Sequence, residues 1–279
     1  MQAKPLFVQT FRFVPKDPRL RFRARLRLPM LFLTYHKVSA ASADQEFYTV
    51  SPGQLSEHLA LLKEHRYRPG DLDALLAGKN EESAYFLTFD DGTLDHVTHV
   101  LPLLQVSGER GIFFIPTAKL DHPGYLTRAQ VLELSEAGHA IGCHSHEHRR
   151  LDTMTDAQIE EQLGTSLGIL REITGRACLL FAPPGGYSSA SVRRIATQRG
   201  LHAVRTMAWG VNRPARLDAL ECIPINRATT CAQLGKILDG RGVGWLKALY
   251  VGKQALKSLV SPRSYELMRS FLHPSNPRD

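Results

Sequence analysis

Seven short apolar runs recur along the chain, each closed by glycine, proline or a polar residue. They are "PMLFLTYH" around 30–36, "AYFLTF" at 84–89, "GIFFIPT" at 111–117, "HAIGCHS" at 139–145, "CLLFAPP" at 178–184, "LHAVRTM" at 201–207 and "CIPINRA" at 222–228. Runs this brief and this continuously apolar suit strands buried on both faces of a parallel sheet. Between them the apolar spacing lengthens to that of a helix. "SPGQLSEHLALLKEH" opens with Ser51 and Pro52, a cap followed by a proline start, and sets Leu55, Leu59 and Leu62 on one face. "LTRAQVLELSEAG" runs from Thr127 to a stop at Gly138, while "MTDAQIEEQLGTSLGILREITG" and "SSASVRRIATQRG" stop at Gly175 and Gly200. Strands alternating with helices predict a parallel α/β architecture, either open or closed into a barrel.

Length and charge refine this picture. A chain of 279 residues holds one large α/β barrel or two modest domains. Its 43% hydrophobic and 22% charged content is that of an ordinary soluble globular protein. No segment has the ~20 consecutive apolar residues of a membrane-spanning helix. The net charge of +8 belongs to the two ends. Residues 1–40 carry nine Lys or Arg against Asp17 alone, and the chain from Arg241 onward carries seven against Glu266 and Asp279. Arg21, Arg23, Arg25 and Arg27 alternate with Phe22, Ala24, Leu26 and Leu28, the pattern of an edge strand or surface ribbon. The tail reads as one or two amphipathic helices with Lys247, Lys253 and Lys257 on the polar side. The expected organisation is a basic extension over 1–29, a barrel domain over 30–240 and a basic helical tail over 241–279.

Basic ends serve either as solvated arms or as peripheral contacts with an anionic membrane; nucleic acid is not expected among the partners. The first 29 residues lack an uninterrupted apolar core followed by a small-residue cleavage site. The expectation is therefore a cytoplasmic protein, with the inner membrane surface as the place its basic ends would bring it. Cys143, Cys178, Cys222 and Cys231 form no CxxC pair and are expected as scattered, reduced thiols.

Parallel sheets and barrels collect their chemistry at the carboxyl ends of strands. The second run ends in Asp90, Asp91 and Gly92, and the fourth leads into "GCHSHEHRRL". Asp90–Asp91–Gly92 is either an ordinary turn or a metal ligand beside a catalytic base. His144 and His148 are four apart and would share a face, and an ion, if that segment were helical. Asp91 would complete a set of two imidazoles and one carboxylate with positions left for water. His146, between them, would point elsewhere. His36 ends the first run on the same face of the sheet. After the fifth run, "FAPPGGYSS" combines two rigid prolines with Gly185 and Gly186, which let backbone approach a ligand closely and offer N–H groups to a developing oxyanion.

"TFDDG" at 88–92, "HSHEH" followed by Leu151, "FAPPGG" at 181–186 and "YHKV" at 35–38 together resemble the ordered motifs of NodB-type polysaccharide deacetylases, carbohydrate esterase family 4. The similarity extends over roughly 30–230. It implies a distorted (β/α) barrel of seven strands and a hydrolase that removes the N-acetyl group from an N-acetylated amino sugar in a polysaccharide or glycan precursor. By the same resemblance Asp90 is the catalytic base, and Asp91, His144 and His148 hold a divalent metal, zinc first, with cobalt, nickel or manganese as alternatives. Gly185 supplies the backbone oxyanion donor, and Pro183, Pro184, Gly186 and Tyr187 line the substrate. Two positions depart from the family's pattern. Ala182 stands where an arginine often orients the base, and Arg227 stands where a histidine usually acts as general acid. A guanidinium keeps its proton, so Arg227 is assigned to orienting or charge stabilisation and His36 becomes a candidate acid. The same departures motivate an alternative, a catalytically impaired glycan- or lipid-glycan-binding relative.

Overall fold

Each of the seven apolar runs forms a strand. In the computed structural model, which describes residues 28–41, 46–79, 82–213 and 216–241 together with 243, 244, 247, 248 and 252, ten strands are present. They are β1 (Leu31–Tyr35), β2 (Lys37–Val38), β3 (Thr49–Val50), β4 (Arg68–Pro69), β5 (Ala84–Phe89), β6 (Gly111–Ile115), β7 (Ala140–Cys143), β8 (Leu180–Phe181), β9 (Ala203–Trp209) and β10 (Leu220–Pro224). The sheet runs β1–β10–β9–β8–β7–β6–β5, and β5 pairs with β1 again, so seven parallel strands close into a barrel. Closure is in register from Leu31 opposite Tyr85 to Tyr35 opposite Phe89. On the other side Leu33 lies opposite Ile223. β4 occupies the edge of β5 ahead of β6, while β2 and β3 form a separate small ribbon.

Helices fill the crossovers: α1 (Pro52–Glu64), α2 (Leu72–Leu76), α3 (Leu101–Ser107), α4 (Arg128–Glu136), α5 (Asp156–Thr174), α6 (Ala190–Gln198) and α7 (Cys231–Leu238). Their starts follow from local chemistry. Ser51 accepts from Gln54 N–H ahead of Pro52, and Thr127, Thr155 and Thr230 each form a reciprocal capping box with the glutamine three residues on. Leu55, Leu59 and Leu62 are buried, as their spacing predicts. α2, α3, α7 and the two-residue strands β2, β3 and β4 carry too few residues to show a period and were not anticipated. "CIPINRA" is strand only as far as Pro224, so Arg227 falls in a turn rather than at a strand end.

The strand pleat sorts side chains into two cores. Phe32, Phe86 and Phe114 point into the barrel with Ala182, Ala203 and Cys222. Their neighbours Leu31, Leu33, Leu87 and Phe113 face outward, under the helices. This alternation matters further up the same strands. Counting by two from Phe32, Phe86 and Ala203 brings Thr34 and His36, Thr88 and Asp90, and Arg205 and Met207 to the inside. Thr88 Oγ1 donates to Thr34 Oγ1 across the interior at 2.9 Å.

All four cysteines are free, Cys143 and Cys222 buried and the others half-buried. No described helix is long and apolar enough to cross a membrane. Most of the expected basic extension and helical tail, including Arg21 to Arg27, Lys253 and Lys257, lies outside the described residues.

One interior position has no room for a side chain. A Cβ on Gly142 would sit 2.4 Å from the Phe114 ring. Gly142→Ala is expected to cost about 1–3 kcal/mol through overpacking, read as a lower denaturant midpoint at unchanged slope. An unchanged midpoint would show that Phe114 has a second place to go.

Candidate active site

Asp90 is the first residue after β5, buried to 2% exposure, and its N–H donates to the Tyr35 carbonyl at 3.0 Å. It points into the barrel, where both of its oxygens lie 2.5 Å from Nη2 of Arg205. Arg205 comes from the middle of β9 and is 1% exposed. Its guanidinium also lies over the Phe114 ring, 5.0 Å from the centroid, with Nη1 3.1 Å from Met207 Sδ. Burial favours loss of the guanidinium charge, but the Asp90 carboxylate outweighs it and raises the Arg205 pKa. The arginine that pairs with Asp90 is therefore Arg205. Arg227 is exposed, with its backbone N–H on the Phe47 carbonyl at 3.3 Å. The signal for Arg205 was present in the sequence: one charge inside an otherwise apolar strand must find a buried partner.

Asp91 does not continue the strand. Its φ is +75° and that of Gly92 is +60°, so the chain turns sharply and brings the second carboxylate to the mouth as well. Asp91 Oδ1 lies 3.3 Å from His144 Nε2 and 3.0 Å from His148 Nε2. The two imidazoles meet without a helix. Residues 144–150 are an irregular loop in which Ser145 (φ +63°) and His148 (φ +61°) adopt left-handed backbone, and the two ring centroids are 4.8 Å apart. His148 N–H donates to Ser145 Oγ, which braces the loop. His146 turns away, as expected, with Nδ1 2.9 Å from Thr117 Oγ1.

The donors fit a divalent cation. His144 Nδ1 is 2.6 Å from the Ala182 carbonyl and must donate to it, which leaves Nε2 with a lone pair facing the Asp91 carboxylate. Two acceptors directed at each other need a cation between them, either a second proton on the ring or a metal. The ligand atoms of Asp91, His144 and His148 lie within 4.8 Å of one another, close enough for one ion. Without an ion, burial would raise the Asp91 carboxyl, but the hydrogen bonds with His144 and His148 hold it well below the usual range. Burial likewise opposes charge on His144, and the bond to Asp91 reverses this and raises its pKa.

His36 lies beside these groups, its Nε2 3.8 Å from Asp90 Oδ2. Burial depresses its pKa despite the pull of both aspartates. The segment after Asp91 holds it in place. A single wide helical turn, His96–Val100, carries the His96 ring to the His36 carbonyl at 2.8 Å. Asp95 Oδ2 accepts the Val38 N–H at 2.7 Å.

Across the mouth, Pro183–Gly186 form a tight turn after β8 in which Gly185 (φ +64°) and Gly186 (φ +74°) are both left-handed. A Cβ on Gly186 would sit 2.4 Å from Met207 N, so only glycine lets this turn approach β9. Pro184 is buried, and Tyr187 stands at the rim with the Arg150 guanidinium 3.7 Å over its ring. Asp90, Asp91, His36, His144, His148 and the glycine turn thus share one end of the barrel, as the sequence reading anticipated. Arg227 does not reach Asp90, and Arg205 was missed.

Residues 77–204 match the family model described as polysaccharide deacetylase. A Bacillus subtilis peptidoglycan-N-acetylmuramic acid deacetylase is 32% identical over 147 residues, half of this chain and 54% of that protein. A putative polysaccharide deacetylase of the same organism is 22% identical over 219 residues, 76% of each chain. The Escherichia coli K12 poly-β-1,6-N-acetyl-D-glucosamine N-deacetylase is 35% identical over 101 residues, but only 15% of its length is covered. Among solved structures, the Streptococcus pyogenes deacetylase PplD, in complex with acetate, superposes with a TM-score of 0.69 at 19% identity, over 75% of this chain and 97% of that one. IcaB from Ammonifex degensii matches with the same values. The family match over 77–204, the closed seven-strand barrel and the ordered motifs at its mouth together show a polysaccharide-deacetylase domain match in this chain.

Proposed function

We propose that the protein is a metal-dependent hydrolase that removes the acetyl group from an N-acetylated amino sugar in a glycan. The observation that carries this reading is the convergence of Asp91, His144 and His148 on one point beside an Asp90 carboxyl held by Arg205. Asp91, His144 and His148 would hold the cation. A divalent ion there, zinc first, with cobalt, nickel or manganese as alternatives, supplies Lewis-acid polarisation of the amide carbonyl and an acidified water.

The chain's own groups account for the remaining steps. Asp90 accepts the proton of the attacking water, and Arg205 holds and aims its carboxyl group. The Gly185 N–H is assigned to the oxygen that gains charge as the carbonyl becomes tetrahedral. His36, beside Asp90, is assigned to pass the proton taken from water on to the departing sugar nitrogen, so the amide C–N bond breaks to give acetate and a free amine. The alternative of an impaired glycan binder rested on Ala182 and Arg227. Arg205 supports the active reading over it, because a guanidinium does reach the base, from the neighbouring strand.

The metal-loaded protein should release acetate from N-acetylglucosamine oligomers or peptidoglycan fragments. Asp90→Asn should lower turnover by a factor of about 10²–10⁴ while bound metal, counted by elemental analysis, stays the same. Acetate release by Asp90→Asn at the parental rate would remove Asp90 as the base. His144→Ala should instead lose metal and activity together, and chelator treatment of the parent should be reversed by zinc.

Arg205 gives a separate prediction. Arg205→Met leaves a buried carboxylate without its partner and should cost about 3–5 kcal/mol of stability. Arg205→Lys keeps the charge and the fold, and should lower kcat without raising KM, because the base loses its aim rather than the substrate its contacts. A purely structural Arg205 would leave kcat of the folded Lys variant at the parental value.

A further inference from the structure

The ladder that closes the barrel pairs β1 with β5 from Leu31 opposite Tyr85 as far as Tyr35 opposite Phe89. Beyond that level both chains leave the sheet, β1 through His36 into β2 and β5 through the turn at Asp91 and Gly92. Two chains leaving a ladder would ordinarily diverge. These stay joined by three hydrogen bonds. Asp90 N–H donates to the Tyr35 carbonyl at 3.0 Å, backbone to backbone. The other two are made by side chains: His96 Nε2 lies 2.8 Å from the His36 carbonyl, and Asp95 Oδ2 accepts the Val38 N–H at 2.7 Å. The backbone on both sides of His36 is therefore pinned to the segment that carries the base.

Delivering these side chains takes unusual backbone. His96 opens the wide turn His96–Val100, in which the Leu101 N–H reaches back five residues to the His96 carbonyl. Such turns are rare and concentrate at functional sites. The His96 ring is fully buried, edge-on to Phe89 at 5.9 Å and tilted against Phe113 at 5.5 Å. A carbonyl only accepts, so Nε2 carries the proton, and Nδ1 is buried with no hydrogen-bonding partner among the described residues. An apolar ring would fill the same space without leaving an orphaned acceptor. What histidine adds here is the one bond to His36.

His36 depends on that bond. A histidine that moves protons is ordinarily aimed by a partner on its second nitrogen. His36 Nδ1 has none among the described residues, while Nε2 lies 3.8 Å from Asp90 Oδ2. Tyr48 stacks on the ring with centroids 4.7 Å apart and planes 23° from parallel, which limits the ring's tilt but not its distance from Asp90. That distance is left to the backbone.

We propose that His96, together with Asp95, is a positioning residue of the reaction, which acts through His36 by holding it beside Asp90. This rests on the proton-passing role assigned to His36 above, and the experiment separates the two.

The full chain, loaded with zinc, is assayed for acetate release from the N-acetylglucosamine tetramer. His96→Phe keeps an aromatic ring and removes the donor, whereas His96→Gln removes the ring and keeps an N–H donor. His96→Phe should lower kcat about 10–100-fold with KM and bound zinc unchanged, the scale of loss when a reacting group moves by about 1 Å. His96→Gln should recover most of it. Asp95→Ala should lower kcat in the same way, and Asp95→Asn, which keeps an acceptor, should lower it less. In a His36→Asn background His96→Phe should cost nothing further. Parental kcat in folded His96→Phe, a Gln variant poorer than the Phe variant, loss of zinc, or a loss that persists without His36 would each overturn the proposal. If the thermal midpoint shows that His96→Phe does not fold, the half-buried Asp95 carries the same test. If the parent releases no acetate, the deacetylase reading falls and NMR of the zinc-loaded, 15N-histidine-labelled protein decides the positioning. The His36 ring signal, identified by its absence in His36→Asn, should shift in His96→Phe and return in His96→Gln. An unmoved signal would overturn the positioning.

Discussion

Asp90 lies inside an apolar tube, where a carboxylate is costly to bury without a partner. Arg205 is that partner, and the rest of the barrel top is arranged around the pair. The guanidinium reaches both oxygens of Asp90 through one nitrogen, rests on Phe114 and meets Met207 Sδ with another. Phe114 can lie there because Gly142 on the next strand leaves space for its ring. Met207 is in turn the residue against which Gly186 packs. One ion pair thus connects β5, β6, β7 and β9 with the turn after β8. A buried pair of this kind contributes little net stability, since desolvation offsets most of the attraction. What it supplies is a fixed carboxylate direction at the mouth of the barrel.

The second constraint is backbone strain. Asp91, Ser145 and His148 are three of the five non-glycine residues with positive φ among those described, and each such residue costs roughly 1–3 kcal/mol. Left-handed turns are the means by which two consecutive aspartates both face the mouth, and by which two histidines four apart meet without a helix. Neighbouring backbone holds these turns. Leu126 N–H donates to Gly92, Leu94 N–H to Gly124, Thr117 N–H to Ser145 and Ala118 N–H to His146. The loops after β5, β6 and β7 therefore restrain one another, and the strain sits where ligand direction matters.

Much of this was legible in the chain. The seven barrel strands follow from continuous apolar runs, and the main helices from caps, leucine spacing and terminal glycines, because those signals are local. The grouping of Asp91, His144 and His148 at one end of the barrel followed from ordered motifs at strand ends. Direction was harder to read. The strand ends at Phe89, and the left-handed turn at Asp91 sets the direction of the second carboxylate. The two histidines meet through an irregular loop, where a helix would also have brought them together. Neither direction follows from regular structure, which stops where the site begins.

Arg205 and Arg227 show why the orienting residue was misplaced. Arg227 was favoured for its rank in a motif, which fixes order along the chain but not side-chain direction. Arg205 could have been found by parity alone. If Ala203 faces the barrel interior, Arg205 must too, and a charge inside needs an opposite charge within reach. Asp90 sits at the same parity on β5, counted from Ala84 and Phe86. Ala182, which looked like the loss of a functional arginine, then reads differently. It lines the same interior core as Phe114, over whose ring the Arg205 guanidinium lies, so the arginine beside Asp90 enters the interior from β9 and not from position 182.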